Sequence, residues 1–289
     1  MIRIATRGSQ QARTQAQSVA DQLAAAGHAC ELVIISTYGD RTQTANVPLH
    51  TIGGQGVFVK EVQVAVLDGR ADIAVHSAKD LPTTPTDGLV IGAFTERRSP
   101  ADALIGRPLV DLPNGAIVAT GAVRRRAQLH RARPDLEFVE LRGNIASRLD
   151  KVPDGGSIVM AVAALEILQM TDRIAEVLDP AEFVPAVGQG CVAVECGERN
   201  DRLLAALADI DHDRTRHEVM VERAFLAELG SGCSLPIGAH VDGRRLYTYL
   251  SNDVTGVTVS DTFDLPDVVD EDVEIARSAA RAAHIHVTR

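Results

Sequence analysis

Apolar positions along the 289-residue chain recur at two spacings, and the alternation between them predicts the fold. Short apolar runs of strand length, among them IRIAT (2–6), ELVIIST (31–37), DIAVH (72–76), AIVAT (116–120), EFVEL (137–141) and SIVMA (157–161), are separated by segments whose apolar residues return every three or four positions. The first such segment puts Ala12, Ala16, Val19, Ala20 and Leu23 on one helix face and closes at Gly27. Phe58, Val62, Ala65 and Val66 mark a second helix, and Gly121 to Arg133 a third. Strands alternating with helices predict a parallel α/β sheet. Because IRIATRGSQQARTQA and AIVATGAVRRRAQL are alike, the pattern predicts two similar lobes with a binding cleft between them.

PAVGQG (185–190) marks a crossing, after which CVAVEC (191–196) is expected to return to the first lobe. A helix is predicted from about residue 215, opened by the capping box Thr215-Arg216-His217-Glu218. Val221, Ala224, Phe225 and Leu229 share one of its faces and Gly230 ends it. The strand-like segments LYTYL and VTGVTVS, with a last helix near 270–283, complete a small α+β domain.

Charge narrows the function. The formal net charge of −10 speaks against nucleic acid or an anionic membrane as partner. The positive charge is nevertheless concentrated: Arg124, Arg125, Arg126, Arg131, Arg133, Arg142 and Arg148 stand against only Asp135, Glu137 and Glu140. MIRIATRGSQ has no apolar core of a leader, and the apolar stretch IVMAVAALEILQM is broken by Glu166, so a cytoplasmic protein is expected. Cys30, Cys191, Cys196 and Cys233 lack CxxC spacing, and neither disulfides nor a metal site are expected.

In open sheets, ligands bind beyond the carboxyl ends of strands. Those ends supply Arg7, Ser9, His76-Ser77 with Lys79 and Asp80, Thr120, Arg124, Arg125, Arg142 and Arg148, which read as a repeated anion site. Arg126, Arg131 and Arg133 read instead as solvated or ion-paired. Asp80 is the carboxylate inside this basic set; it either caps a turn beside Lys79 or stabilises positive charge and passes a proton. His76, ending an apolar strand, reads as a core residue. Cys233, in the loop ELGSGCSLPIG, is an accessible thiol, whereas Cys30, Cys191 and Cys196 read as small core residues.

The segments RIATRGS, VFVKE, ADIAVHSAKDLP, the Thr120–Arg125 turn, LRGN with Arg148, PAVGQG and GCSLPIG, in this order over nearly the whole chain, resemble the porphobilinogen deaminase (hydroxymethylbilane synthase) family. The resemblance implies an α/β fold with two lobes like periplasmic binding proteins, residues 1–95 with 190–208 and residues 98–186, plus a small α+β C-terminal domain over 213–289. It implies a transferase of tetrapyrrole and heme biosynthesis that joins four porphobilinogens head to tail, with loss of ammonia, and releases hydroxymethylbilane by hydrolysis. The primer would be a dipyrromethane cofactor in thioether linkage to Cys233. By the same resemblance Asp80 is catalytic, and Ser77, Lys79, Asp80, Thr120, Arg124, Arg125, Arg142 and Gln189 hold the cofactor. Arg7, Ser9, Gln15, Arg142 and Arg148 hold substrate, and the enzyme is a monomer.

The chain departs from the family pattern at Gly121-Ala122, where two serines are usual, at Gln55, where lysine is common, and at Glu166-Ile167, where basic residues are common. Restoring serines at 121 and 122 is expected to improve turnover. Two alternatives stay open at this point: a divergent member with slow or altered turnover, and a bilobal small-carboxylate-binding or sensor protein.

Overall fold

The computed structural model describes residues 1–37, 59–230, 235–252 and 254–288. These residues form two compact units, one built from the chain up to 98 with 190–217, the other from 99–189 with 218–288. In the first, β1 (Ile2–Arg7) leads through α1 (Gln10–Ala25) to β2 (Cys30–Ile35), and α2 (Lys60–Leu67) leads to β3 (Ile73–Ser77) and β4 (Leu89–Phe94). Helix α1 starts where it does because extended Ser9 accepts a hydrogen bond from the Ala12 N–H, while Ala16, Val19, Ala20 and Leu23 turn one apolar stripe inward.

The second unit begins with β5 (Asp102–Ile105), β6 (Ile117–Ala119), α3 (Val123–Ala132) and β7 (Glu137–Val139). It continues through α4 (Ile145–Leu149), β8 (Ser157–Ala161), α5 (Val162–Ile167) and β9 (Glu176–Val177). The chain then returns to the first unit as β10 (Val192–Gly197) and α6 (Asp201–Ala208). After α7 (Asp213–Glu228) come β11 (Ile237–Asp242), β12 (Arg245–Ser251), β13 (Thr258–Asp264) and α8 (Val269–Thr288).

The two five-stranded sheets share one plan: their orders are β2-β1-β3-β10-β4 and β7-β6-β8-β5-β9. In each, three strands run parallel, and the fourth and fifth are joined by antiparallel pairing. The expected purely parallel sheets are therefore mixed. The returning strand β10 and the entering strand β5 reach their sheets by crossing segments rather than through a βαβ turn, so nothing obliges them to run parallel. The internal likeness of the two strand-turn sequences extends to whole lobes.

In the first unit, α1 and α6 pack on one sheet face around Ile4, Leu23, Ile73 and Leu207, and α2 covers the other with Val62 and Ala65. In the second, Leu104, Val118 and Leu129 gather on one side and Ile145, Met160 and Leu165 on the other. The antiparallel sheet β11-β12-β13 packs on α7 and α8 through Phe225, Leu246, Leu250 and Ala280. Each fully buried Leu, Ile, Val, Phe or Met side chain among these contributes about 1.5–3 kcal/mol, and the alanines less. The α/β class with two sheet-and-helix lobes and a small C-terminal α+β part is thus the observed architecture.

The capping box at Thr215 does not form. The helix starts at Asp213, and the buried Thr215 hydroxyl accepts from the Arg97 N–H at 3.1 Å and lies 2.9 Å from His212 Nδ1. With its hydroxyl engaged there, Thr215 serves inside the first turn and leaves His212 Nδ1 to accept the Thr215 N–H at 3.2 Å. Glu222, two turns further along and fully buried, accepts from the backbone of Gly188 at 2.7 Å and of Val241 at 2.9 Å, and lies 3.2 Å from His240 Nδ1. One carboxylate thereby ties α7 to the crossing loop and to β11. Glu222→Leu leaves two buried N–H groups without an acceptor, each costing about 1–3 kcal/mol. We expect the midpoint of thermal unfolding to fall by at least about 4 °C in calorimetry.

Candidate functional site

The residues singled out by sequence fall into two sets, one in each unit. In the first unit, the parallel registers Ile4↔Ile73 and Ala5↔Ala74 bring the carboxyl ends of β1 and β3 out on the same edge, so Arg7 and Ser77 emerge together. A 3-10 turn, Ala78–Asp80, follows β3 directly, and its first N–H donates to the Cys191 carbonyl at 2.9 Å. Lys79 and Asp80 are thus half-buried side chains on a turn held by the return strand.

Gln15, reaching in from α1, is buried, and its side-chain amide and the Ser77 hydroxyl exchange hydrogen bonds of 3.1 Å. The Ser9 hydroxyl is the α1 cap, 3.3 Å from the Ala12 nitrogen. In this structure Gln15 therefore braces the end of β3, and Ser9 caps α1. His76 is buried with Nε2 3.1 Å from Glu195 Oε2, and Gln63 donates to both Glu195 oxygens at 3.2 and 2.9 Å. His76 points into this internal cluster beneath the strand end, in keeping with its reading as a core residue.

The second set centres on a carboxylate that the sequence reading did not single out. Asp102, the first residue of β5, is fully buried. Its Oδ2 accepts from Arg124 Nη2 at 2.6 Å, and its Oδ1 accepts from Arg125 Nη2 at 2.7 Å and Nε at 3.1 Å. Gln189 Nε2 adds a donor to Oδ1 at 2.9 Å and binds the Pro100 carbonyl at 2.7 Å. The remaining arms of the two guanidiniums reach backbone, Arg124 to the Val184 carbonyl at 2.6 Å and Arg125 to that of Val159 at 3.0 Å.

Arg124 and Arg125 are buried rather than open to solvent, and an internal carboxylate is their first partner. Burial by itself pushes the Asp102 carboxyl up, but the two guanidiniums and their hydrogen bonds outweigh it and hold the group well below the usual carboxylate range. Burial also draws Arg124 down from its ordinary value despite Asp102 beside it. The local signal for Asp102 is one charged residue opening the apolar run DALI, and no neighbour in sequence marks the arginines it meets.

Gln189 is placed by backbone geometry: Gly188 and Gly190 on either side adopt φ of 69° and 86°, the left-handed region that glycine enters without steric cost. Thr120 is buried after β6, with its N–H on the Val139 carbonyl at 2.9 Å and its hydroxyl accepting from the Ala122 N–H at 3.3 Å. Arg142 follows β7; its Nη1 is shut off from solvent and has no hydrogen-bond partner among the described residues. Arg148, on α4, donates from Nε to the Gly143 carbonyl at 2.7 Å. Arg133 forms an ion pair with Asp135 at 2.7 Å, in line with the ion-paired reading, and the hydrogen bond to Arg133 pulls the Asp135 carboxyl down to about 2. Cys233 and Gln55 lie outside the described residues.

The departure at Gly121-Ala122 separates into two cases. A Cβ at position 121 would stand 3.0 Å from the Leu141 carbonyl oxygen and 3.3 Å from Glu140 Oε2, a tight contact that a serine would relieve only if these neighbours give by a few tenths of an ångström. Ala122 is the N-cap of α3, in extended conformation and without a side-chain cap. The two positions therefore differ in what a serine would meet: a close backbone oxygen at 121 and an uncapped helix start at 122. We expect Ala122→Ser to stabilise the protein by about 1 kcal/mol and Gly121→Ser to destabilise it, both read as urea midpoints. Asp102→Asn should cost about 3 kcal/mol. Because the folded carboxyl titrates below its unfolded value near 3.9, the stability it contributes is fully present above about pH 4 and is lost as pH falls further. The difference between parent and variant should accordingly shrink in melts below about pH 4.

The family described as "Porphobilinogen deaminase, dipyromethane cofactor binding domain" matches residues 2–205, and "Porphobilinogen deaminase, C-terminal domain" matches residues 216–250. The chain is 44% identical over 278 residues to the porphobilinogen deaminase of Acidothermus cellulolyticus, covering 93% of this chain and 79% of that one. It is 47% identical over 244 residues to that of Mycobacterium marinum, covering 83% and 76%. Among solved structures, a methionine-bound nutrient binding protein of Burkholderia cenocepacia aligns with a TM-score of 0.43 at 14% identity, over 72% of this chain and 90% of that one. On the family match over residues 2–205 and the identities of 44% and 47% to these relatives, this chain belongs to the porphobilinogen deaminase family.

Proposed function

We propose that this chain carries out its family's transfer reaction with Asp80 at the reacting centre, joining four porphobilinogen molecules head to tail on a dipyrromethane primer held by Cys233 and releasing hydroxymethylbilane. The observation that supports this reading is Arg142. A guanidinium N–H buried without an acceptor costs about 1–3 kcal/mol, yet Nη1 of Arg142 is held in that state. Such a donor suits a ligand that brings its own acceptors, and every ring of the substrate carries an acetate and a propionate.

Anchored at Cys233, the dipyrromethane supplies a covalent primer that already carries carboxylates. Ser77, Lys79, Thr120, Arg124, Arg125, Arg142 and Gln189 are the residues we assign to holding it, and Arg7, Ser9, Gln15, Arg142 and Arg148 to holding incoming substrate. The donor set fits the group in kind, since it consists of charged and hydroxyl donors at strand ends. Asp80 would stabilise the positive charge that develops on substrate as ammonia departs and would accept or pass the proton. A charge pair at about 4 Å contributes about 4 kcal/mol at an effective dielectric near 20. Holding two reacting rings in register supplies much of the rest. We further assign a monomer acting in the cytoplasm, with neither nucleic acid nor membrane as partner. The net charge of −10 supports this, and among the described residues no helix is long and apolar enough to cross a membrane.

The intact mass of the protein purified from porphobilinogen-producing cells tests the reading. We expect an addition equal to two pyrrole units that is absent from Cys233→Ser; an unmodified parent chain would overturn it. Asp80→Asn should keep its circular dichroism and lose at least about 100-fold in turnover, and undiminished turnover would remove Asp80 from the mechanism.

A further inference from the structure

Arg124, Arg125 and Gln189, three of the residues assigned to the cofactor, meet on a single fully buried carboxylate, that of Asp102. The charge balance of the cluster is uneven: two guanidinium charges face one carboxylate charge, so one positive charge remains in a buried place. Hydrogen bonding is uneven as well. One arm of each arginine is taken by a backbone carbonyl and another by Asp102, which leaves a small, fixed remainder of N–H donors. A buried surplus charge is costly unless an anion meets it.

We propose that Asp102 is a positioning residue for cofactor binding: by gripping Arg124, Arg125 and Gln189 together, it fixes the direction of their remaining donors and trims the cluster's charge to match one ligand carboxylate. This deepens the reading above and rests on it. Asp102 would act entirely through its three partners. Without its charge, the two guanidiniums would repel each other across the gap it fills, and each would turn toward backbone or water. The carboxylate they share as ligand would then be held in a shifted place, while the binding of free porphobilinogen, assigned to other residues, would change little.

The test compares the parent with Asp102→Asn, both produced in porphobilinogen-making cells and taken as the monomeric fraction with native circular dichroism. Intact mass gives the share of molecules carrying two pyrrole units, and kinetics are scaled to that share. We expect cofactor occupancy below one fifth of the parent's, and, per loaded molecule, a kcat at least tenfold lower with KM for porphobilinogen within twofold. Occupancy and scaled kcat both within twofold of the parent would overturn the proposal, leaving a carboxylate that serves stability alone. Should Asp102→Asn not fold, Asp102→Glu keeps the charge but moves it by one methylene, and a kcat reduced at least threefold at unchanged KM is expected; parental kcat and occupancy would overturn the proposal. A parent chain without pyrrole mass would instead count against the functional reading itself, so the two failures are told apart.

Discussion

The ion cluster on Asp102 is the constraint from which much of the second unit follows. A buried carboxylate must be met by donors of good geometry or it unfolds its surroundings. Here the donors come from two places distant in sequence, the first turn of α3 and the crossing loop at Gln189, and they meet the carboxylate at the start of β5. Arg124 also stands over the Phe183 ring at 5.8 Å and reaches the Val184 carbonyl, where Gln128 places its amide as well. Helix α3 carries three consecutive arginines, and two of them are buried because β5 offers a carboxylate to receive them. Its pose on the sheet is therefore set as much by charge as by Leu129.

The cluster lies at one end of a sheet plan used twice. In each lobe three parallel strands deliver their carboxyl ends to one edge, and the chemistry-bearing residues sit at those ends or just past them: Arg7 and Ser77 close their strands in the first lobe, and Thr120 and Arg142 follow theirs in the second. Both lobes also back these strand ends with an internal polar pair or triad, Gln15 with Ser77 in one and Asp102 with its arginines in the other. Short bonds between neighbours take away the rotamer freedom of long side chains before any ligand arrives, which lowers the ordering cost of binding.

Strand and helix order was legible in the sequence because it depends on local periodicity: IRIAT, DIAVH and SIVMA lie where strands are observed, and the buried stripe of α1 has the spacing its apolar residues predict. Strand direction was not legible for β5 and β10, since it follows from how the chain crosses between units rather than from any residue in the strand. The capping box failed for a related reason. Thr215 has the right spacing to Glu218, but its hydroxyl is claimed by the backbone of Arg97, more than a hundred residues away in sequence. At the site, residue types at strand ends pointed to anion chemistry, while the partners of those residues stayed hidden: nothing local to Arg124 or Arg125 announces Asp102. Nor does the sequence near Gly121 show that the Leu141 carbonyl lies 3.0 Å from the place its Cβ would take.

A carboxylate beneath residues assigned to hold a ligand's carboxylates looks self-defeating, but the magnitudes say otherwise. Two guanidiniums held about 5 Å apart repel by about 3 kcal/mol at an effective dielectric near 20, and each gains about 4 kcal/mol from a carboxylate at about 4 Å. An internal anion shared by both thus more than offsets their repulsion and keeps them in place when no ligand is present. The surplus of one charge is then available to the ligand without requiring the pair to assemble around it. In a protein of net charge −10, whose field opposes the approach of anions, such preassembly places the attraction where it acts at short range and is least screened.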